Sequence, residues 1–271
     1  MTIATIPQLA PTNNELKISS NEIPEGFSIS TNVVSEEAWD EIRNYLGLTT
    51  FPHPFDDQKS DNHIVPSIEL DGYTDQKDGE MKGKMVKTST EIPWESTPFP
   101  QNRPVVQFGF RYDYEKDVVV PPSENNDDEN CDEAAVPKIP EVFQRLLLRP
   151  YQDIIETKLK DVKFTQCIVN VYRPSTAEHS SSIPWHFDDP QFGPEILVFT
   201  FGETRPLNMR LKHESNDNDN REDDDNHSYF IAHPAHRSCY VLLGPARYKW
   251  QHSVPSGSSW RVSITFRTLN S

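Results

Sequence analysis

Short runs of alternating apolar and polar residues dominate the second half of the chain and predict a β protein. From about residue 164 the candidate strands are Thr165–Tyr172, Ile183–Phe187, Ile196–Phe201, Leu207–Lys212, Tyr229–Ala232, Cys239–Leu243 and Arg261–Thr268. Their lengths and spacing are typical of an antiparallel sandwich or barrel, and no internal repeat is present. We therefore expect a mainly β fold with flanking helices.

The first half of the chain adds fewer elements. Ser35 is a candidate N-cap for a helix that Gly47 can end. One helix face is apolar, with Ala38, Trp39, Ile42, Tyr45 and Leu46. The alternation from Val106 to Tyr114 predicts one strand with its large aromatic residues on a single side. A second helix should open at Pro140, and Pro150 should stop or kink it.

Composition sets the class of protein. The chain has 271 residues, 35% of them hydrophobic, with 23 prolines and 10 glycines, which allows one sizeable core and many loops. No apolar run reaches the ~18 residues of a membrane span, and no basic residue precedes Lys17 as a signal peptide would require. Three cysteines without a CxxC motif fit a reducing compartment. We expect a monomer in the cytoplasm, the nucleus or both.

The net charge of −16 is concentrated in two runs, Glu124–Glu133 and Glu214–Asp225. Each run has a net charge of −6, so together they hold twelve of the sixteen negative charges. We interpret them as solvated loops. A calcium loop is excluded for the second run because Glu222 and Ser228 occupy the positions that need Gly and Glu.

A candidate metal site lies in Pro184-Trp185-His186-Phe187-Asp188 together with Trp250-Gln251-His252. Residues i and i+2 of a strand point the same way, so His186 and Asp188 can bind one ion, and His252 can supply a third ligand. Two histidines and one carboxylate form the facial triad of non-haem Fe(II). A single His-x-Asp pair also arises by chance in a chain with nine histidines and 42 acidic residues, so an ordinary barrel histidine stays open.

The last predicted strand has one polar face, formed by Arg261, Ser263, Thr265 and Arg267. If this face points inward, its arginines need a buried anion, and a dicarboxylate such as 2-oxoglutarate would suit two guanidinium groups. A strand with a solvated outer face is the alternative.

Four motifs, in their order along the chain, resemble those of the AlkB-like Fe(II)/2-oxoglutarate dioxygenases. They are Asn170-Val-Tyr172, His186-Phe-Asp188, Gly244-Pro-Ala-Arg247-Tyr-Lys-Trp250-Gln-His252 and Arg261-x5-Arg267. The resemblance covers residues 164–268, and implies a double-stranded β-helix (jelly-roll) oxygenase core. It implies Fe(II) on His186, Asp188 and His252, with dioxygen and 2-oxoglutarate as cosubstrates. Asn170 and Tyr172 would bind 2-oxoglutarate, Arg261 its distal carboxylate with Ser263 alongside, and Arg267 would complete the pocket near the metal. We divide the chain into a flexible tail (1–24), an N-terminal extension and substrate-lid region (25–163) and the dioxygenase core (164–271).

The resemblance is nearest to the RNA- and tRNA-acting branches and implies a nucleic acid, RNA or DNA, as substrate and partner. Demethylation or hydroxylation of a modified base would need aromatic faces, for which Phe108, Tyr112, Tyr114 and Trp185 are candidates, with core positions as the alternative. Lys77–Lys87, with Arg103 and Arg111, is a modest candidate for phosphate contacts, with a solvated loop as the alternative. Pro190 occupies the position where base-repair members carry a carboxylate, which argues against DNA base repair. Oxidation of a protein side chain or small molecule, and a non-catalytic binding module, remain alternatives.

Overall fold

The computed structural model describes residues 23–48, 92, 94–97, 103–113, 116, 118–121, 136–154, 159, 161–176, 180–211 and 228–270. The strands are β1 (Phe27–Ser30), β2 (Glu95–Ser96), β3 (Pro104–Gly109), β4 (Arg111–Asp113), β5 (Val118–Val120), β6 (Gln166–Tyr172), β7 (Ile183–His186), β8 (Phe192–Gly202), β9 (Leu207–Leu211), β10 (Tyr229–Ala232), β11 (Ser238–Leu242), β12 (Trp250–Val254) and β13 (Arg261–Leu269). The helices are α1 (Glu36–Tyr45), α2 (Glu141–Phe143), a π-helix (Gln144–Leu148), α3 (Arg149–Ile154) and α4 (Gly244–Tyr248).

The strands form two large antiparallel sheets. The main sheet has seven strands in the order β1-β11-β8-β13-β6-β3-β2, and the smaller sheet has four in the order β10-β9-β12-β7. Strands β4 and β5 pair separately as a two-stranded ribbon, here called the β4–β5 ribbon. Each sheet joins strands that are distant in sequence, as in a jelly roll. The predicted class, mainly β with flanking helices around a double-stranded β-helix core, is confirmed.

The period-two alternation of the strands separates two hydrophobic cores. On one face of the main sheet, Val262, Ile264 and Phe266 are each 0% exposed and belong to a cluster that includes the helices. We call this the helix-side face. The other face turns toward the smaller sheet, and we call it the site-side face. The core between the sheets contains Tyr172 from β6 and Met209 from β9. The alternation predicted for the last strand is therefore present.

Helix α1 closes part of the helix-side face. The side chain of Ser35 accepts a hydrogen bond from the Ala38 amide, as the capping pattern predicts. The ring of Trp39 stacks on Phe201 with 4.1 Å between centroids. No helix in the described ranges is long and apolar enough to cross a membrane.

The predicted strand from Val106 to Tyr114 is wrong as a single element. It breaks after Gly109, whose φ of +80° is a conformation that favours glycine, and a Cβ there would meet the carbonyl oxygen of Thr165 at 2.0 Å. The break places Phe108 and Tyr112 in different surroundings instead of on one shared face.

Of the two outcomes predicted at Pro150, the stop does not occur, because the helix continues past it to Ile154. The turn before it is a π-helix, in which the Arg149 amide donates to the Gln144 carbonyl five residues earlier. A wider turn gives space to a proline ring that would otherwise collide with a carbonyl of the preceding turn.

Residues from the predicted extension contribute to the main sheet. Strand β3 pairs with β6, and β1 pairs with β11. The division into tail, extension and core stays a prediction. Lys77–Lys87 and the acidic runs 124–133 and 214–225 lie outside the described residues.

Candidate active site

Two strands of the smaller sheet bring the predicted metal ligands together. His186 is the last residue of β7, and its cross-strand partner in β12 is His252. Asp188 follows two residues after His186 in the loop before β8. One ligand atom from each of the three side chains lies within 4.8 Å of the other two. This geometry lets two imidazoles and one carboxylate share one ion, which is the donor set that suits ferrous iron.

The imidazoles are held in the neutral form that a metal requires. Burial lowers the pKa of His186, although Asp188 opposes the shift. Burial, assisted by the neighbouring His186, lowers the pKa of His252 to about 3. Nδ1 of His186 lies 2.9 Å from the Pro184 carbonyl oxygen. Because a carbonyl only accepts, Nδ1 carries the proton and Nε2 is left with a free lone pair.

Asp188 is a buried anion held by a partly buried arginine. Burial by itself would raise the pKa of this carboxyl, but Arg267, with the neighbouring histidines and Arg247, holds it far below its usual range. Nη2 of Arg267 lies 2.6 Å from Asp188 Oδ1. The other oxygen, Oδ2, lies 3.5 Å from Nε2 of His252.

Arg247 fixes the loop that carries Asp188. Its guanidinium donates to the carbonyls of Asp188, Asp189 and Phe192 at 3.0, 2.8 and 3.3 Å. The residue is buried at the end of α4, directly before the strand of His252. One guanidinium therefore ties the backbone of Asp188 and Asp189 to the first residue of β8, which orients the loop that carries the metal aspartate.

A second group of predicted residues lies on the site-side face of the main sheet. Arg261 pairs with Tyr172 in register, and Ser263 pairs with Asn170. The Arg261 guanidinium carbon is 4.7 Å from the centroid of the Tyr172 ring, and the Tyr172 hydroxyl is 3.4 Å from Ser263 Oγ. Arg261 is 1% exposed, yet its Nε and Nη1 have no hydrogen-bond partner among the described residues.

A buried cation with unpaired donors is expensive unless an anion completes it. The Arg261 guanidinium supplies a positive charge, and the neighbouring hydroxyls of Tyr172 and Ser263 can donate hydrogen bonds. Together these groups can bind a carboxylate. The residues present therefore fit an anionic cosubstrate.

Sequence reasoning missed two arginines of this region. Arg103, considered above for phosphate contacts, is 5% exposed and donates from Nε to Asn170 Oδ1 at 2.9 Å. This bond leaves the Asn170 amide nitrogen as the group that can donate to a ligand. Arg205 is 2% exposed and lies 5.5 Å from the Tyr172 ring centroid, with Arg261 also stacked on that ring. Nothing in the sequence around either arginine distinguishes it from a surface residue.

The candidate base-stacking residues are not brought together. Phe108 is 1% exposed and packs edge-on against Phe143 in the helix-side core, so it has no free ring face for a base and this assignment is wrong. Tyr112 is beside the site, with its hydroxyl donating to Asp189 Oδ2 at 3.2 Å. Tyr114 lies outside the described residues.

Trp185 lies on the outer side of the smaller sheet. Its ring is 4.6 Å from the guanidinium carbon of Arg210 and 6.4 Å from the ring of Tyr229. Met209, next to Arg210, is fully buried between the sheets and pairs with His252, so Arg210 points the opposite way. The structure therefore separates Trp185 from the metal ligands.

A comparison with protein families agrees with this geometry. Residues 71–267 match the model of the family described as the 2OG-Fe(II) oxygenase superfamily. No curated protein matches the sequence. The chain is similar to a solved structure described as "The structure of OsALKBH1", with a TM-score of 0.48 and 15% identity, over 92% of this chain and 99% of that chain. The family match covers well over half of the sequence, so this chain belongs to the 2OG-Fe(II) oxygenase superfamily and is a dioxygenase that uses Fe(II), 2-oxoglutarate and dioxygen.

Proposed function

We propose that the protein is an AlkB-like dioxygenase that hydroxylates or oxidatively demethylates a modified nucleobase in RNA or DNA. The observation that carries the cosubstrate assignment is the buried guanidinium of Arg261, which has unpaired donors next to Tyr172 and Ser263. The order of the four motifs along the chain supports the AlkB-like assignment.

In this proposal His186, Asp188 and His252 hold the ferrous ion. The lowered pKa values of both histidines and of Asp188 mean that all three side chains are ready to coordinate a metal at neutral pH. Arg267 and Arg247 fix the aspartate from its side chain and its backbone respectively. The loop then needs little reorganisation when the metal binds.

Arg261, Ser263 and Tyr172 bind the distal carboxylate of 2-oxoglutarate, and Asn170 donates from its amide nitrogen. Arg267, six residues after Arg261 in β13, pairs with Asp188 and would complete the pocket near the metal. Bound iron, 2-oxoglutarate and dioxygen supply the oxidant for a C–H bond, and an N-methyl group hydroxylated in this way is lost as formaldehyde. The role of the protein is to orient these groups, exclude water and position the substrate.

The distribution of charge and one aromatic residue bear on the substrate. The net charge of −16 opposes a phosphate backbone, but the two acidic runs carry most of it. Tyr112 is the one candidate aromatic residue among those described that lies beside the metal loop. A nucleobase would approach from the side of the β4–β5 ribbon.

The test is incubation of the full chain, with Fe(II) and 2-oxoglutarate, on a panel of methylated RNA and DNA oligonucleotides, followed by mass spectrometry of the nucleosides. We expect loss of one modified nucleoside, dependent on 2-oxoglutarate, and oligonucleotide binding that weakens as salt rises. Turnover of 2-oxoglutarate with no change in any nucleoside, and no oligonucleotide binding at low salt, would contradict the nucleic-acid proposal.

That second outcome would favour the same chemistry on a protein side chain or small molecule, an alternative that the acidic balance of the chain supports. No binding of Fe(II) or 2-oxoglutarate would instead indicate a non-catalytic module.

A further inference from the structure

Two buried glutamines connect the metal aspartate to the β4–β5 ribbon. Gln166, at the start of β6, is 0% exposed, and Gln107, in β3, is 4% exposed. Burial of two primary amides costs free energy unless their polar groups are paired. Neither residue belongs to the motifs that assign the metal or the cosubstrate.

The hydrogen bonds run in one direction away from Arg267. Nη1 of Arg267 donates to Gln166 Oε1 at 3.2 Å, and Nε2 of Gln166 donates to Gln107 Oε1 at 3.3 Å. Gln107 then pairs with the backbone of Tyr112. Its Nε2 donates to the Tyr112 carbonyl at 2.9 Å, and its Oε1 accepts from the Tyr112 amide at 2.7 Å.

The chemistry of the groups fixes both amide orientations. A guanidinium has only donors, so the oxygen of Gln166 must face Arg267 and its nitrogen must face Gln107. The oxygen of Gln107 consequently faces Gln166, and its nitrogen is left for the Tyr112 carbonyl. Reversing the Gln166 amide would break two of these hydrogen bonds, and reversing the Gln107 amide would break three.

A second connection returns from Tyr112 to the metal loop. The Tyr112 hydroxyl donates to Asp189 Oδ2 at 3.2 Å, and its ring centroid is 6.0 Å from that of Phe192. The Arg267 guanidinium carbon lies 4.6 Å from the same Phe192 ring. The network is therefore closed: it leaves Asp188 through Arg267 and returns to the next residue, Asp189.

We propose that Gln107 and Gln166 are positioning residues that hold the β4–β5 ribbon in register with Asp188 and Arg267. The inference rests on the proposed function, because it takes Asp188 as a metal ligand and the ribbon as a wall of the substrate site. Gln107 bonds directly to the ribbon, whereas Gln166 links Gln107 to Arg267 and so affects both the ribbon and the metal side of the network.

The first test measures hydrogen–deuterium exchange of the metal-free full chain, in peptides covering residues 111–120. The Tyr112 amide donates to Gln107, so Gln107→Leu should speed exchange there by about 3- to 10-fold, the effect of losing one hydrogen bond. Gln166→Leu should have a smaller effect in the same direction. The matched control is Gln152→Leu, which removes a glutamine that donates to the carbonyls of Leu159 and Val162. This control variant should leave the exchange rate in the ribbon unchanged.

The second test measures Mn(II) and 2-oxoglutarate binding by calorimetry. Gln166→Leu should weaken 2-oxoglutarate binding several-fold because Arg267 loses a partner, whereas Gln107→Leu should bind as wild type. Gln166→Glu keeps an acceptor for Arg267 but presents a second oxygen to Gln107. It should therefore restore 2-oxoglutarate binding without restoring ribbon protection, a split that general loss of structure would not produce.

Unchanged ribbon exchange in Gln107→Leu, or equal binding defects in Gln166→Glu and Gln166→Leu, would overturn the inference. These results are distinct from failure of the proposed function, which would appear as wild-type protein that turns over 2-oxoglutarate without changing any nucleoside and would leave both tests of the network as described.

Discussion

The two faces of the main sheet are built by the same strands, yet they are chemically opposite. On the helix-side face of β13, Val262, Ile264 and Phe266 are completely buried among apolar side chains. On the site-side face of the same strand, Arg261 and Arg267 are also buried or nearly so, and both have guanidinium nitrogens without hydrogen-bond partners among the described residues.

The difference separates the sources of stability and activity. Burial of apolar side chains on the helix-side face stabilises the fold whether or not a ligand is bound. Burial of cations on the site-side face costs free energy in the ligand-free protein, and an anionic ligand recovers it. Substitutions on the helix-side face should therefore change stability, whereas those on the site-side face should change ligand binding, and four experiments test this difference.

The largest effect is expected at the metal ligands beside the site-side face. His186→Ala should abolish 2-oxoglutarate turnover and leave the protein folded, because the one hydrogen bond described for its side chain is to the Pro184 carbonyl. Succinate formation and circular dichroism would check this, with the exposed His233→Ala as control. Turnover that survived in His186→Ala would contradict the metal assignment.

On the helix-side face, Phe266→Ala should lower the free energy of unfolding by about 3–5 kcal/mol, as expected for a fully buried aromatic residue. The 2-oxoglutarate affinity of the folded fraction should stay at the wild-type value. Urea denaturation and calorimetry would measure the two quantities. If Phe266→Ala caused no detectable destabilisation, or if it greatly weakened 2-oxoglutarate binding, then stability and ligand binding would not be divided between the two faces.

On the site-side face, Arg261→Met should leave the ligand-free protein equally stable or more stable, since it removes a buried charge. The same change should raise the 2-oxoglutarate concentration needed for half-maximal turnover by about 10- to 100-fold, which corresponds to the loss of charge-assisted hydrogen bonds. Arg261→Lys keeps the charge without the planar guanidinium, so its 2-oxoglutarate requirement should lie between those of the wild type and Arg261→Met. Steady-state kinetics that showed an unchanged requirement in Arg261→Met would refute the cosubstrate assignment.

The smallest effect is a pH dependence of the metal-free protein. The pKa of His252 is lowered to about 3, whereas an unfolded histidine titrates near 6.5. Below pH 6.5 the unfolded chain binds a proton that the folded protein does not, so stability should fall as the pH drops, by at most about 1.4 kcal/mol per pH unit from this group. Denaturation at pH 7.5 and pH 5 would measure the change, which His252→Gln should reduce. Equal pH dependence in both proteins would contradict it.

Much of the site could be predicted because its signals are local. The alternation of Arg261, Ser263 and Arg267 with apolar residues depends only on the period of a strand, and the same is true of the spacing between His186 and Asp188. The pairing of His252 with His186 was not visible, because strand register depends on partners that the sequence does not name.

The supporting residues could not be predicted for the same reason. Arg103 donates to Asn170 and to the Ser182 carbonyl, which are 67 and 79 residues away, and the partners of Gln166 are 59 and 101 residues away. A glutamine in a strand reads as an ordinary polar position until those contacts are known. Gly109 did offer a signal, since a glycine inside an aromatic alternation is typical of a break or bulge.

The pairing of β3 with β6 has a practical consequence for anyone preparing fragments of this protein. A recombinant piece cut between residues 163 and 164 would lack β1 and β3 and would expose the free edges of β11 and β6. Bare edges of this kind recruit strands from other copies and cause aggregation. Inactivity of such a fragment would therefore be explained by aggregation and would not show that the protein lacks catalytic residues. Recombinant versions of the protein should begin before Phe27.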